Sequence, residues 1–276
     1  MDQSPYSDLE RPPLRETALR RALVVPDGLW TDVRVVAETG STNSDVAALA
    51  RGGAAEGLVL VAERQMSGRG RLGRVWTSPP RAGLTLSVLL RPSGVDLTRF
   101  SWLPLLTGLA LTEAVRRIAE VDAELKWPND LLIGGRKCAG ILAEVIPPAP
   151  GTQTGESAVV IGVGLNTTLR EHELPRPDAT SLALAGAACV DRGPILKAFL
   201  RSLATWYDRW RRTGGDPDAS GLREAYLFHC ATMGRDVLVH LPDGSQVKGR
   251  AEGVDVDGRI IVDGRAFAAA DVVHVR

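Results

Sequence analysis

Two short segments concentrate residues able to act on an anion. In Gly68-Arg-Gly-Arg-Leu-Gly-Arg74, three glycines alternate with three arginines. Glycine admits positive φ and lets backbone N–H groups come close to a ligand. Arginine carries a permanent forked charge that matches carboxylate or phosphate oxygens. Such a segment can wrap an anion, and it equally suits a solvated basic loop or an Arg/Gly nucleic-acid segment. The GxxxxGK[ST] pattern of a Walker phosphate loop is absent. In Lys126-Trp-Pro-Asn-Asp130, the lysine at a strand end points a compact charge above a sheet, and Trp127 offers a flat apolar wall. Pro128 fixes a turn and cannot extend the ladder, while Asn129 and Asp130 supply donors and acceptors. A hairpin turn with an incidental lysine is the alternative.

Two further segments could complete a site. Lys137 follows Gly134-Gly-Arg136 and precedes Cys138-Ala-Gly-Ile-Leu-Ala-Glu144. A lysine at the edge of adjacent strands can polarise a carboxylate and a phosphoryl oxygen together, which stabilises an acyl-phosphate transition state. Taken alone, such a lysine is more often solvated. Gly162-Val-Gly-Leu-Asn166 is a strand whose spaced glycines bring backbone close to a flat ligand, with Asn166 in reach of a base edge. An ordinary buried strand reads the same way.

These residues need a scaffold, and the apolar spacing predicts one. Thr31 to Ala37, Gly57 to Glu63, Leu84 to Leu90, Leu125 to Trp127, Leu131 to Ile133, Cys138 to Ile146 and Val159 to Leu165 read as strands. Thr42 is the expected N-cap of a helix that stops at Gly52, with Asp45 three residues on. Ser101 to Ala119 has helical spacing. Ile195, Phe199, Leu203, Trp206 and Trp210 form the core stripe of a helix from Pro194 to about Arg212. Strands joined by hairpins and flanked by a few helices predict an α+β layered domain. After about Met233, short valine-rich strands with turns at Pro242-Asp-Gly244 and Asp257-Gly258 predict a small all-β barrel. Residues 1 to about 13 read as a flexible tail, and Arg15 to Leu23 as a short helix decorating the surface.

Composition narrows the classes. The 276 residues carry no formal net charge, so a bulk drive toward nucleic acid or anionic membrane is missing. Cys138, Cys189 and Cys230 are widely spaced and read as reduced cytoplasmic thiols. The four histidines suggest no metal cluster. No apolar run is long enough to span a bilayer, and the N-terminus has no signal-peptide pattern.

In their order, these motifs resemble those of the biotin protein ligases, the biotin–[acetyl-CoA-carboxylase] ligases, from about Glu38 to the C-terminus. The matching segments are Thr39-Gly-Ser-Thr-Asn43, Gln65 with Gly68–Arg74, Lys126–Asp130, Lys137 with Ala139-Gly-Ile-Leu142, Gly162–Asn166 and Ala179-Thr-Ser-Leu182. The resemblance implies a mixed or antiparallel central sheet with flanking helices, of the class II synthetase and biotin ligase type, plus a C-terminal SH3-like barrel. The expected division is a tail and short helix at 1–30, a catalytic domain at 31–230 and the barrel at 231–276. It implies that biotin and MgATP give biotinyl-5′-adenylate, which acylates a lysine of a biotin carboxyl carrier domain. Lys137, Arg71, Lys126 and Asp130 become the catalytic candidates. Ser41, Thr42, Asn43, Gln65, Gly68, Arg69, Gly70, Arg71 and Lys137 become candidate biotin contacts. Asn129, Asn166, Arg74 and Lys126 become candidate nucleotide contacts, with no resident metal site beyond Mg²⁺ carried by ATP.

The implied partner is the carrier domain of an acyl-CoA or pyruvate carboxylase, with no membrane association, in a monomer or weak homodimer. About 30 residues precede the first core strand, too few for a winged DNA-binding module, so a ligase without specific DNA binding is expected. The Gly68–Arg74 loop is expected to order over the adenylate. A lipoate-type ligase on the same fold, or a non-catalytic biotin- or RNA-binding module, are the competing functions.

Overall fold

The alternating apolar runs become a central sheet. The computed structural model describes residues 11–148, 157–241, 243–268 and 271–275. Helix α1 (Glu16–Leu23) leads to β1 (Asp32–Val36), helix α2 (Thr42–Arg51) and β2 (Leu58–Ala62). A short hairpin, β3 (Gly68–Arg69) and β4 (Val75–Trp76), precedes β5 (Gly83–Leu90) and helix α3 (Trp102–Ala119). Then come β6 (Ala123–Lys126), β7 (Asp130–Ile133), β8 (Arg136–Ile146) and β9 (Ala158–Asn166). Helices α4 (Arg192–Arg212) and α5 (Leu222–His229) lead to β10 (Asp236–His240), β11 (Gln246–Val254), β12 (Ile260–Val262), β13 (Arg265–Phe267) and β14 (Asp271–His274).

Seven strands form one mixed sheet in the order β1-β2-β5-β9-β8-β7-β6, in which only β1 and β2 pair in parallel. The last five strands make an antiparallel sheet, β13-β12-β11-β10-β14, the expected small C-terminal barrel element.

Side chains alternate across a strand, so each strand addresses two environments. Leu84, Leu86, Val88 and Leu90 of β5, with Val159, Ile161, Val163 and Leu165 of β9, pack in the same core cluster as α3 and α4. Val237, Val239, Val254 and Ile260 of the C-terminal strands belong to that cluster too. Trp102 Nε1 donates to the Val256 carbonyl at 2.9 Å, and Trp127 Nε1 to the Gly258 carbonyl at 3.1 Å. These two indoles tie the C-terminal sheet to the main layer. Each large apolar side chain buried in this way contributes roughly 1.5–3 kcal/mol. On the opposite face, α2 covers one end of the central strands β2, β5, β9 and β8, where Val46, Ala47 and Ala50 meet Leu58, Leu60, Leu89 and Val160. The rest of that face is open.

Several expectations need correction. Helix α1 does not merely decorate the surface, because Leu19 and Leu23 are buried in the main core. Of the expected tail, residues 1–10 lie outside the described residues, as does Pro242 of one expected turn. Arg11, however, pairs with Glu173 at 2.6 Å, and the Pro12 carbonyl accepts from Arg192 at 2.7 Å. Thr42 is the first helical residue and not the cap. Ser41 holds the extended N-cap position, and the Thr42 hydroxyl is turned toward other partners. Helix α5 was not anticipated. It has eight residues and buries only Leu222 and Tyr226, too little periodicity to stand out from a loop.

Candidate active site

A cavity of about 940 Å³ lies on the open half of the sheet. That volume sits at the upper end of small-molecule sites. Its walls come from the start of α2, the β3–β4 hairpin, the β6–β7 turn, strands β8 and β9, and the last strand, β14.

The floor depends on glycine. A Cβ on Gly162 would lie 2.1 Å from Asn43 Oδ1, and one on Gly164 would lie 2.4 Å from the Trp76 indole. Any larger residue at either position would expel what rests on it. Asn43 therefore sits directly over β9. Its Nδ2 donates to Glu144 Oε2 at 2.6 Å and to the Leu142 carbonyl at 3.3 Å. Ser87 Oγ lies 2.6 Å from Asn43 Oδ1 and 2.7 Å from Thr42 Oγ1. Gln65 Oε1 accepts from the Thr42 amide at 2.8 Å, with the Thr42 hydroxyl at 3.1 Å. Ser41, Thr42 and Asn43 are all buried. This corner offers a few polar atoms in fixed orientation and little charge.

The other end of the cavity is cationic. On β8, Ala139 and Ile141 belong to the apolar core, so strict alternation would send Lys137 there too. A bulge prevents this: Leu131 pairs with Ala139 but Leu132 pairs with Lys137, leaving Cys138 as the extra residue. Bulges re-aim side chains in this way. Lys137 Nζ thus reaches Asp130 Oδ1 at 2.5 Å and stands 6.0 Å from the Trp76 ring centroid. The turn that allows it is Gly134-Gly135, both at positive φ, in a two-residue hairpin. The β6–β7 hairpin places Lys126 opposite Asp130. Burial holds the Lys126 ammonium below its usual range, with the Lys137 charge adding to the effect and Asp130 opposing it. Burial likewise lowers the Arg71 guanidinium, with Arg74 repelling it while Asp271 and Asp130 favour its charge. Lys126, Lys137 and Arg71 outnumber Asp130 and Asp271 around this end, which leaves an excess of positive charge suited to an anion. At about 4 Å, each added cation–oxyanion contact is of order 4 kcal/mol before desolvation is subtracted.

The Arg/Gly segment is a hairpin and not an open loop. Gly68 pairs with Trp76 and Arg69 with Val75, and the Gly70 amide donates to the Arg74 carbonyl at 2.7 Å. Arg69 Nη2 reaches Ser44 Oγ at 2.5 Å, and Arg71 Nη1 reaches Asn129 Oδ1 at 3.4 Å. Arg74 pairs with Asp271 of β14, which links the hairpin tip to the C-terminal sheet. Beside Asp271, His274 Nε2 lies 3.0 Å from Thr232 Oγ1, and Thr232 accepts from the Trp127 amide at 3.1 Å. Burial, then the charges of Lys126 and Arg235, push the His274 imidazole down to about 4.

Nearly every residue singled out from the sequence lines this one cavity: Ser41, Thr42, Asn43, Gln65, Arg69, Gly70, Arg71, Arg74, Lys126, Asn129, Asp130, Lys137 and Asn166. Gly68 is the exception. It is buried behind the wall, where a Cβ would come within 2.6 Å of Gln65 Nε2 and 2.5 Å of the Trp76 carbonyl. Trp127 is not an open wall, since its ring is 3% exposed and hydrogen-bonded to Gly258. Sequence reasoning missed Trp76, which follows the Arg/Gly run by two residues, and it missed Ser87, Glu144, Asp271 and His274. Only Trp76 carried a sequence signal, as an aromatic adjoining a ligand-type segment.

Comparison with known proteins agrees with this geometry. The model of the biotin/lipoate A/B protein ligase family matches residues 39–166. The biotin–[acetyl-CoA-carboxylase] ligase of Mycobacterium tuberculosis is 42% identical over 277 residues, covering 98% of each chain. The ligase of the same name from Paracoccus denitrificans is 33% identical, covering 84% of this chain and 94% of its own. The bifunctional ligase/repressor BirA of Bacillus subtilis is 29% identical over 81% of this chain and 66% of its own length. Among solved structures, the biotin protein ligase from Aquifex aeolicus in complex with biotin and ATP superposes with a TM-score of 0.71 over 89% of this chain and all of that one, at 24% identity, which shows the shared fold. By identity along its whole length, the chain belongs to the biotin–[acetyl-CoA-carboxylase] ligases.

Proposed function

We propose that this chain activates biotin with ATP and transfers it to a lysine of a biotin carboxyl carrier domain of an acyl-CoA or pyruvate carboxylase. The observation that carries the reading is the union, in one cavity, of a polar, nearly uncharged corner and a cationic end, in a chain 42% identical to a named biotin ligase. The ureido end of biotin fits the corner made by Ser41, Thr42 and Gln65. Its carboxylate then extends toward Lys137, Lys126 and Arg71. A biotin carboxylate oxygen attacks the α-phosphorus of ATP, and pyrophosphate leaves with the bonding pair. The neutral carrier amine then attacks the acyl carbon of the mixed anhydride, the acyl C–O bond breaks, AMP departs with that electron pair, and the amine nitrogen releases one proton to solvent.

The cations supply what this chemistry lacks. Two anions repel until positive charge bridges them, and an oxyanion that develops during transfer gains most from charges already in place. Lys137, Lys126 and Arg71 are placed for that role, with Asp130 orienting Lys137 through their 2.5 Å contact. Asn166 Nδ2 is bound to the Thr180 carbonyl at 2.9 Å, which presents its Oδ1 to an adenine amino group. Among the described residues, no three His, Cys, Asp or Glu side chains gather to hold a metal. Asp130 and Asn129 fit a magnesium ion that arrives on ATP with its phosphates, where it would supply further positive charge.

The β3–β4 hairpin acts as the cover that keeps water from the anhydride. Its contacts to Ser44, Asn129 and Asp271 support this role. The division at about residue 230 into catalytic and barrel portions is part of the same reading. It is supported by the separate sheet pairing of β10–β14. The test is ATP–pyrophosphate exchange with biotin or lipoic acid. Exchange that depends on biotin alone is expected, while exchange driven by lipoic acid, or none with either, would overturn the assignment.

A further inference from the structure

We propose that Glu144 is a positioning residue, which acts through Asn43 to fix the donor and acceptor pattern of the biotin-recognising corner. The inference rests on the biotin reading above and extends it to a residue outside the cavity lining. Glu144 sits on β8, on the same face as Leu142 and Gly140, and its Oε2 meets Asn43 Nδ2 at 2.6 Å. A carboxylate accepts only. The atom of Asn43 facing Glu144 must therefore be the nitrogen, and its second hydrogen goes to the Leu142 carbonyl at 3.3 Å.

Proton counting carries this choice across the corner. With its nitrogen committed, Asn43 turns Oδ1 toward Ser87 and takes that hydroxyl's single proton at 2.6 Å. Ser87 is then left as an acceptor for the Thr42 hydroxyl, 2.7 Å away and closer than that hydroxyl's 3.1 Å contact with Gln65 Oε1. The lone pairs of Thr42 Oγ1 remain for a ligand N–H. Gln65 Oε1 is held by the Thr42 amide at 2.8 Å, so Gln65 Nε2 remains as a donor for a ligand carbonyl. A ureido group has N–H donors flanking a carbonyl, and it matches this pattern. Asn43 is 5% exposed, so solvent is a poor substitute for a lost partner. Without the Glu144 acceptor only the longer 3.3 Å contact with the Leu142 carbonyl opposes a flip of this amide, and a flip would reverse every proton downstream.

The experiment compares Glu144→Ala and Glu144→Gln in the full-length chain. A glutamine keeps a side-chain oxygen that accepts from Asn43, and alanine removes it. For Glu144→Ala, the biotin Kd by calorimetry and the biotin KM in pyrophosphate exchange should rise about tenfold or more, the scale of one unsatisfied buried polar group. The KM for ATP and kcat at saturating biotin should stay within about twofold. Glu144→Gln should recover most of the biotin affinity. Equal loss in both variants, an ATP KM that rises in parallel, or unchanged biotin affinity in Glu144→Ala would overturn the proposal. Glu144 is only partly buried, and thermal melting of each variant identifies loss through unfolding, in which case kcat and both KM readings would fail together and count against a positioning role. If the unaltered protein shows no biotin-dependent exchange, the functional assignment fails and not this network.

Discussion

The two faces of the same strands obey opposite rules. On one face, Leu84, Leu86, Val88, Ile161 and Val163 interlock with α3 and α4, all of them nearly or wholly excluded from water. On the other, the alternate residues Thr85, Ser87, Gly162, Gly164 and Asn166 keep space open or hold polar groups. The first face stabilises the fold by filling volume. The second gives up packing so that a ligand can supply it. The comparison teaches that the floor of the site rests on packed sheet, because β5, β8 and β9 beneath the cavity are held from behind by the apolar face.

Four substitutions can break or sharpen that contrast, from the largest expected effect to the smallest. Lys137→Met leaves the apolar face intact and removes the central cation. Adenylate formation should drop by roughly 10²–10³-fold or beyond detection in a pyrophosphate-release assay, with the melting temperature little changed. A near-normal rate would refute the role of Lys137. Phe199→Ala strikes the opposite face, where the ring is fully buried. It should cost about 3–5 kcal/mol in urea unfolding, while biotin and ATP KM values of the folded fraction stay close to those of the unaltered chain.

Gly162→Ala tests whether the open floor is needed. The new methyl overlaps Asn43 Oδ1, so overpacking should cost about 1–3 kcal/mol. Calorimetry should show weakened biotin binding with ATP binding spared, and unaffected biotin binding would show that the floor has slack. The smallest effect belongs to His274. Its folded value is depressed to about 4 from an ordinary 6.5, so the unfolded chain binds the proton more tightly. The neutral ring's contribution is present above pH 6.5 and is lost as pH falls toward 4. His274→Gln should flatten the fall in melting temperature across that window. An unchanged slope would place the acid sensitivity elsewhere.

Much of this was legible beforehand, for reasons that differ by element. The long strands and helices α3 and α4 carry periodicities that water alone enforces, since one face must be buried. Short α5 lacks enough buried positions to show a period. Thr42 looked like a cap because its type and place allow it. The cavity instead uses its hydroxyl, and Ser41 takes the cap position, so a tertiary demand outweighed a local preference. The Arg/Gly run suggested an anion grip, but its hairpin pairing and its link to Asp271 need the far end of the chain.

By itself, the sequence determined the long strands and helices, the barrel-like end, the family, and most of the side chains at the site. Apolar spacing and residue chemistry are local properties, written in the order of the chain. Tertiary structure decided which way those side chains point. Lys137 faces the anion site only because a bulge at Cys138 reverses its side of the sheet, and Gly162 and Gly164 matter only because Asn43 and Trp76 arrive over them from distant segments. Register and close approach are relations between strands. No single segment contains them, and packing of the whole chain fixes them.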